Sequence, residues 1–228
     1  MTTKRLPKSH PAKSRVLLVD DHAILRQGLT GLINQQPDLA VCCQAATAPQ
    51  ALTALKKGHP EIAVVDLGLP GRGGLELIKD MHARFPELPV LVLSMFDESL
   101  YAERVLHAGA RGYIMKEADA EKLLSAIRRV LAGEIYLSEK MQAKTLPKRT
   151  RSGTPVLGSP VELLSDRELD VFRAVGEGRS ASEIARAFHL SVKTIEFHRA
   201  NIKRKLKVRT STELLRHAVQ WLESNPTP

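Results

Sequence analysis

The stretch VLLVDDHAIL, residues 16–25, runs four apolar residues straight into Asp20 and Asp21. A strand covered on both faces has this continuous apolar character. Two like charges at its end repel unless something balances them. The same form recurs along the chain. Runs rich in Val, Ile and Leu appear at RVLLVD, LAVCCQ, EIAVVD, PVLVLS and GYIM. Between them lie AILRQGLTGLINQQ, PQALTALKKG, GLELIKDMHARF, SLYAERVLHAG and AEKLLSAIRRVLAG, whose apolar residues follow helical spacing. Five alternations of strand and helix predict an α/β fold, a five-stranded doubly wound parallel sheet with helices on both faces.

In open sheets of this kind, functional groups gather where the strands end at their carboxyl edge. The first strand brings Asp20 and Asp21 there, the third Asp66, the fourth Ser94 and the fifth Lys116. A hard divalent cation relieves the repulsion among three carboxylates. Mg²⁺ typically takes one or two carboxylates, several waters and a phosphate oxygen. The pocket therefore points to Mg²⁺, with Lys116 as a point charge for a phosphate oxygen and Ser94 as a hydroxyl donor. An aspartate in such a place can act as nucleophile and form an acyl phosphate. Plainer readings stand beside these. Asp20 and Asp21 can cap the helix that follows, Ser94 can be a turn residue, and Lys116 can be solvated. His22 and Arg26, four apart on one helix face, read as a surface pair rather than a catalytic dyad.

The order DD…D…S…K resembles the receiver domain of bacterial response regulators. The strings LVDDHAILRQGL, VVDLGLPGRGGLEL, VLSM and AGARGYIMKE carry the resemblance over residues 15–133. It implies a flavodoxin-like fold in which Asp66 accepts a phosphoryl group from a histidine kinase. It also implies that Asp21 and Asp66 ligate Mg²⁺, with Asp20 acting through water and the Gly68 carbonyl completing the site. Ser94, Lys116 and the aromatic Tyr113 would form the switch, although Tyr113 also suits a plain core position. Met95 is bulkier than the small residue many receivers place after the hydroxyl, which bears on access to Asp66.

The net charge of the 228 residues is +9, and it is unevenly spread. Residues 1–15 carry +5, residues 16–133 carry −2, and residues 134–160 and 161–228 carry +3 each. Residues 191–210 hold seven Lys or Arg against the single Glu196, a concentration that suits a polyanion partner. Residues 1–14 read as a disordered basic tail. Residues 134–160, with Pro147, Pro155 and Pro160, read as a linker containing a short helix near 138–145. Three Ser/Thr-x-x-Glu boxes, Ser165/Glu168, Ser180/Glu183 and Thr210/Glu213, mark helix starts. With a fourth start after Ser191, they predict helices near 166–176, 181–188, 192–206 and 211–223, a small all-α domain over 161–228.

Residues 181–206 read as helix, turn, helix. In the second helix Ile195, Ile202 and Leu206 share one face, and Lys193, Glu196, Phe197, Ala200 and Arg204 share the opposite one. That outward face suits the major groove of double-stranded DNA. Thr194, His198 and Arg199 complete the candidate contacts, and Lys203, Lys205, Lys207 and Arg209 extend toward backbone phosphates. Glu196 can accept from cytosine N4 or pair with Lys193 or Arg199 on its own helix. The stretch from LLSDRELDVF to LLRHAV, within residues 161–222, resembles the LuxR-type DNA-binding domain. Glu196 stands where many relatives have Lys, so their base preference does not carry over. The resemblance implies that the last helix, through Leu215, Ala218, Val219 and Leu222, can pair two subunits. Packing within the domain is the alternative.

Together the two parts resemble response regulators of the NarL/FixJ type. The expectation is a transcription regulator, not an enzyme, that forms a homodimer when phosphorylated and binds two half-sites. One rival is a Mg²⁺-dependent phosphotransferase or phosphatase. Such enzymes usually need a second Asp near the nucleophile, whereas LGLPGRGG follows Asp66. Another is a constitutive DNA-binding regulator whose receiver does not switch. No apolar run approaches the ~18 residues of a membrane helix, and the N-terminus lacks the apolar region of a signal peptide. A cytoplasmic protein without a membrane partner is expected. Cys42 and Cys43, adjacent in an apolar run, are expected to be buried strand thiols in a reducing compartment. Neighbouring cysteines do not easily meet disulfide geometry, and two thiols alone make a poor zinc site.

Overall fold

The computed structural model describes residues 13–71, 73–139, 141–142, 160–188 and 190–224. Most of the expected tail and linker lies outside these residues. Five strands form one sheet: β1 (Ser14–Val19), β2 (Leu39–Ala45), β3 (Ile62–Val65), β4 (Val90–Ser94) and β5 (Gly112–Met115). Their order is β2-β1-β3-β4-β5 and every pairing is parallel. Between them run α1 (Ala23–Asn34), α2 (Ala48–Gly58), α3 (Gly73–Arg84) and α4 (Glu98–His107), and α5 (Ala120–Leu131) follows β5. Thr47, Asp97 and Asp119 cap α2, α4 and α5 through their side chains, which satisfies backbone N–H groups otherwise left without partners.

Alternation along the strands builds two cores. Val16, Leu18, Ile62, Val64, Leu91 and Leu93 face Ile33, Ile127 and Val130 of α1 and α5. Leu17, Val19, Ala63, Val65, Val90 and Val92 face the layer of α2, α3 and α4. The strand order reverses direction between β1 and β3, which opens a crevice at their carboxyl ends. Asp20 and Asp66 each stand one residue beyond those ends.

The edge strand β2 departs from the expected buried thiols. Cys42 is exposed and Cys43 only half-buried. β2 has a neighbour on one side alone, and its pairing slips: Val16 faces Val41, but Leu17 faces Cys43. Cys42 is the extra residue of a β-bulge.

Beyond α5 the chain adds to the sheet rather than leaving it. Tyr136 bridges Gly112 in parallel sense, and Leu137 and Met141 are buried. The N–H groups of Met141 and Gln142 both donate to the Ser138 carbonyl, the start of the short helix expected at 138–145. The C-terminal helices are α6 (Asp166–Gly176), α7 (Ala181–Ala187), α8 (Val192–Leu206) and α9 (Ser211–Ser224). The capping boxes at Ser165/Glu168 and Ser180/Glu183 form in full, and Thr210 and Glu213 exchange the same two bonds. In α9, Leu214 and Ala218 are buried and Trp221 lies 5.6 Å from the Phe172 ring, while Leu215 is exposed. The face expected to pair subunits is therefore divided, with Ala218 used inside the domain. Among the described residues, no helix is long and apolar enough to cross a membrane.

One close approach sets the position of Asp66. A Cβ on Gly74 would sit 2.0 Å from the Asp66 carbonyl oxygen and 2.6 Å from the Leu67 Cα. Both obstacles are backbone, which cannot swing aside as a side chain can. Gly74→Ala is expected to destabilise the sheet domain by about 3 kcal/mol or more, at the upper end of overpacking costs. Chemical denaturation of wild type and variant measures this.

Candidate functional site

The crevice gathers buried charge. Asp20 is 3% exposed and Asp66 4%. Lys116, from the end of β5, places its Nζ 2.8 Å from Asp20 Oδ2 and 2.7 Å from Asp66 Oδ2. The Gly68 N–H donates to Asp66 Oδ1 at 3.1 Å. Burial raises the Asp66 carboxyl above the usual range, against the pull of Lys116 and Gly68. For Lys116, burial works to lower the ammonium, and Asp66 and Asp20 outweigh it and hold it raised. Lys116 is thus not a solvated residue.

Asp20, Asp21, His22 and Asp66 each offer a ligand atom within 4.8 Å of one another. The donor set is mostly carboxylate oxygen, which fits a hard cation such as Mg²⁺. The side chains of His22 and Arg26 have separate partners. His22 Nδ1 lies 2.9 Å from Asp21 Oδ1, and Arg26 donates to the Asp20 carbonyl and to Gln44. Asp20 Oδ1 also accepts from the His22 N–H at 2.7 Å, but His22 is itself the N-cap of α1 and no side chain caps that helix, so the expected capping by Asp20 or Asp21 is not made. The sequence offered no reason to place His22 with the acids except its adjacency.

Ser94 is fully buried, and its Oγ accepts from the Phe96 N–H at 3.2 Å. Tyr113 is equally buried and donates its hydroxyl to the Phe96 carbonyl at 2.6 Å. The Tyr113 ring therefore occupies the inward position in this conformer. Met95 is exposed beside the pocket.

Phe96 leads out of the pocket to the C-terminal helices. Its ring lies 5.1 Å from that of Tyr101 and carries the Arg173 guanidinium at 4.4 Å. Tyr101 donates to Asp170 Oδ1 at 3.0 Å. Asp166 receives Lys79 at 2.9 Å and Arg104 at 3.0 Å, and Arg167 donates to the Gly71 carbonyl at 2.8 Å. These partners lie far apart in sequence, and no local pattern marked them.

On α8 the expected division of faces holds. Ile195 and Ile202 are buried, Leu206 is half-buried, and Lys193, Glu196, Phe197, Ala200 and Arg204 are exposed. Phe197 is 63% exposed. Glu196 pairs with Arg199 at 3.0 Å. Thr194 and Ser191 share a hydroxyl contact at 2.7 Å. His198 is half-buried, and burial, with Arg167 nearby, lowers its pKa. Lys203 is half-buried. Lys205, expected in the row of lysines toward phosphate, meets Glu168 at 2.6 Å and ties α8 to α6.

Two family models match this chain. The response regulator receiver domain covers residues 16–128, and the luxR family of bacterial regulatory proteins covers residues 162–218. The chain belongs to the two-component response regulators that join a receiver to a LuxR-type helix-turn-helix domain, the NarL/FixJ type. It is similar to the oxygen regulatory protein NreC of Staphylococcus aureus, 34% identical over 210 residues, 90% of this chain and 97% of that protein. A LuxR-family response regulator from Aurantimonas is 34% identical, with a TM-score of 0.56, over 61% of this chain and all of the other. RcsB from Salmonella enterica serovar Typhimurium, solved bound to a promoter in the presence of a phosphomimetic, is 25% identical. Its TM-score is 0.62, covering 91% of this chain and 98% of the other.

Two outcomes follow from the charges. Lys116→Ala removes the cation that offsets burial of Asp66, so the Asp66 carboxyl should titrate at still higher pH than in wild type. Carbon-13 NMR of the carboxyl group reads this. Asp170, half-buried between the domains, is pushed up to about 6 by burial and by Asp166, against Arg167, Tyr101 and Arg173. Undocked, it should fall back toward the usual ~3.9. The docked state then binds the proton more readily, so docking should strengthen as pH falls through about 6 and be weakest above it. A fluorophore pair spanning the two domains should report more docking at pH 5 than at pH 7.5, with the difference reduced in Asp170→Asn.

Proposed function

We propose that this chain is a phosphorylation-dependent transcription regulator in which Asp66 accepts a phosphoryl group from a histidine kinase. The observation that carries this reading is the Lys116 ammonium bridging Asp20 and Asp66 at the carboxyl edge of the sheet. A carboxylate oxygen of Asp66 attacks phosphorus, forming the P–O bond as the P–N bond to the kinase histidine breaks. The electron pair of that bond returns to the imidazole. Asp21 and Asp66, with Asp20 through water and the Gly68 carbonyl, would hold Mg²⁺, which neutralises charge on the phosphoryl oxygens. Lys116 turns from the carboxylate to a phosphoryl oxygen, and the Ser94 hydroxyl donates to another.

Ser94 must then release or re-aim its bond with the Phe96 N–H. Tyr113 holds the carbonyl of the same residue, and Arg173 and Tyr101 hold its ring. Displacing Phe96 weakens the contact between α4 and α6 and shifts the population toward separated domains. The freed form dimerises and sets two copies of α8 in successive major grooves, with half-sites ~10 base pairs apart or a multiple of that. Lys193, Thr194, Glu196, Phe197, His198, Arg199, Ala200 and Arg204 face the bases, and Lys203 reaches a phosphate. The promoter-bound RcsB relative supports the DNA partner for this class.

A second reading, DNA binding without a phosphorylation switch, is favoured by one observation. The outward face of α8 is open to solvent while the domains are docked. Turnover of an outside phosphate ester is disfavoured by the residues after Asp66, which from Leu67 to Gly71 carry no carboxylate.

The deciding experiment is intact mass after incubation with Mg²⁺ and acetyl phosphate. Wild type is expected to gain one phosphoryl group, and Asp66→Asn or addition of a chelator to abolish the gain. Target DNA affinity should rise with that gain. Equal affinity of wild type and Asp66→Asn in all conditions would establish the second reading. On DNA, Lys203→Ala should weaken binding about equally for all sequences and reduce the salt slope by about 1.

A further inference from the structure

In a regular strand, adjacent side chains point to opposite faces, which would separate two neighbouring thiols. The bulge at Cys42 breaks that alternation. Cys42 Sγ and Cys43 Sγ lie 2.9 Å apart, at the surface of the edge strand. The end of α2 leaves room for them. A Cβ on Gly58 would sit 2.7 Å from Cys43 Sγ and 3.7 Å from Cys42 Sγ, so the glycine provides a seat under both sulfurs. The site is separate from the phosphoryl-acceptor pocket: Cys43 pairs with Leu17, three residues before Asp20.

We propose that Cys42 and Cys43 form a bidentate dithiol site for a trivalent arsenical or a chemically equivalent thiophilic metalloid. Adjacent Cα atoms, ~3.8 Å apart, fall short of the ~4.4–6.8 Å usual for a disulfide, and closure would also need an oxidant. The sulfurs are too close for tetrahedral zinc, whose ~2.3 Å bonds hold two sulfurs nearer ~3.8 Å apart. A pyramidal three-coordinate centre has narrower bond angles and a shorter bite. Protonation favours the same class. Burial and the Cys42 sulfur push the Cys43 thiol up to about 12, against Arg15. A divalent ion must displace that proton to gain its second thiolate. A trivalent arsenic oxide instead condenses with thiols as they stand. With phenylarsine oxide, two S–H bonds break and two As–S bonds form. The oxygen leaves with both protons as water, and arsenic stays trivalent.

The test uses the full-length reduced chain with equimolar phenylarsine oxide, read by intact mass across a glutathione titration. Cys42 and Cys43 are the two cysteines of the whole chain, so no other thiol pair competes. Wild type is expected to keep one phenylarsenic unit in a glutathione excess at least 10-fold above that which strips Cys42→Ser or Cys43→Ser. A 1,2-dithiol should remove it. The folded chain should also hold the adduct at least 10-fold more strongly against glutathione than the same chain in denaturant. Thermal melts of the serine variants confirm that they fold; if Cys43→Ser does not, the exposed Cys42→Ser carries the comparison. Loss of the wild-type adduct at the glutathione level that strips the single variants would overturn the proposal. Equal retention by folded and denatured chains would overturn it too, because the bulge would then contribute nothing.

Discussion

Lys116 sets one ammonium between two carboxylates that the sheet itself buries. The strand order makes this contact a condition of the fold. β1 and β3 are neighbours, so Asp20 and Asp66, each one residue past its strand, share a crevice of low dielectric. Their charges repel strongly there and lack water to screen them. Lys116 comes from β5, two strands away from β3, and reaches back across the end of β4. The registers of β3, β4 and β5 must therefore agree for the charge to be balanced. One ammonium against two carboxylates leaves a net negative charge, and Asp21 adds to it. The remaining negative charge suits a divalent cation, and the ammonium suits the anion that such a cation brings.

The same crevice is mechanically tied to the C-terminal domain through one peptide. Phe96 gives its N–H to Ser94 and receives the Tyr113 hydroxyl at its carbonyl. Its ring lies beneath Arg173 and beside Tyr101. On the proposed reading, a phosphoryl oxygen that recruited Ser94 would compete with a bond that positions the interdomain contact. The contact itself mixes exposed and buried parts: one apolar cluster runs through both domains, and buried Tyr101 bonds Asp170. Lys79 is half exposed, so its pair with Asp166 contributes on the order of 0–1 kcal/mol. Ion pairs of that size are the part of the docking surface that one new charge–charge interaction can offset.

Strand ends and helix caps were legible in the sequence because each is decided locally. The carboxyl-edge rule converts the last residue of an apolar run into a place in the crevice, which assigns Asp20, Asp66, Ser94 and Lys116 to one edge from sequence alone. Ser165, Ser180 and Thr210 announced their helices three residues ahead through Glu168, Glu183 and Glu213. Pairings across distance left no such mark. Tyr101 and Asp170 are 69 residues apart, and Lys79 and Asp166 are 87. Lys205 shows how a local pattern can miss a partner. Its place in a basic run pointed to phosphate, but Glu168, the acid of a capping box, lies 2.6 Å away. Burial works to raise Glu168, and Lys205 and Ser165 outweigh it and hold it lowered. One carboxylate thus closes a helix start and anchors α8 to α6.

The cysteine pair was misread for a different reason. Apolar content does not separate an edge strand from an inner one, and LAVCCQ is as apolar as its neighbours. Strict alternation would put two neighbouring thiols on opposite faces. A bulge cancels that inference, and here neither Gly nor Pro signals it in the strand. What permits the bulge is position: β2 pairs on one side alone, so an extra residue disturbs one ladder rather than two. The signal lay outside the strand, in Gly58, where the end of α2 must come close to β2. The two sulfurs meet because a free edge tolerates the slip and a residue without a side chain leaves them room.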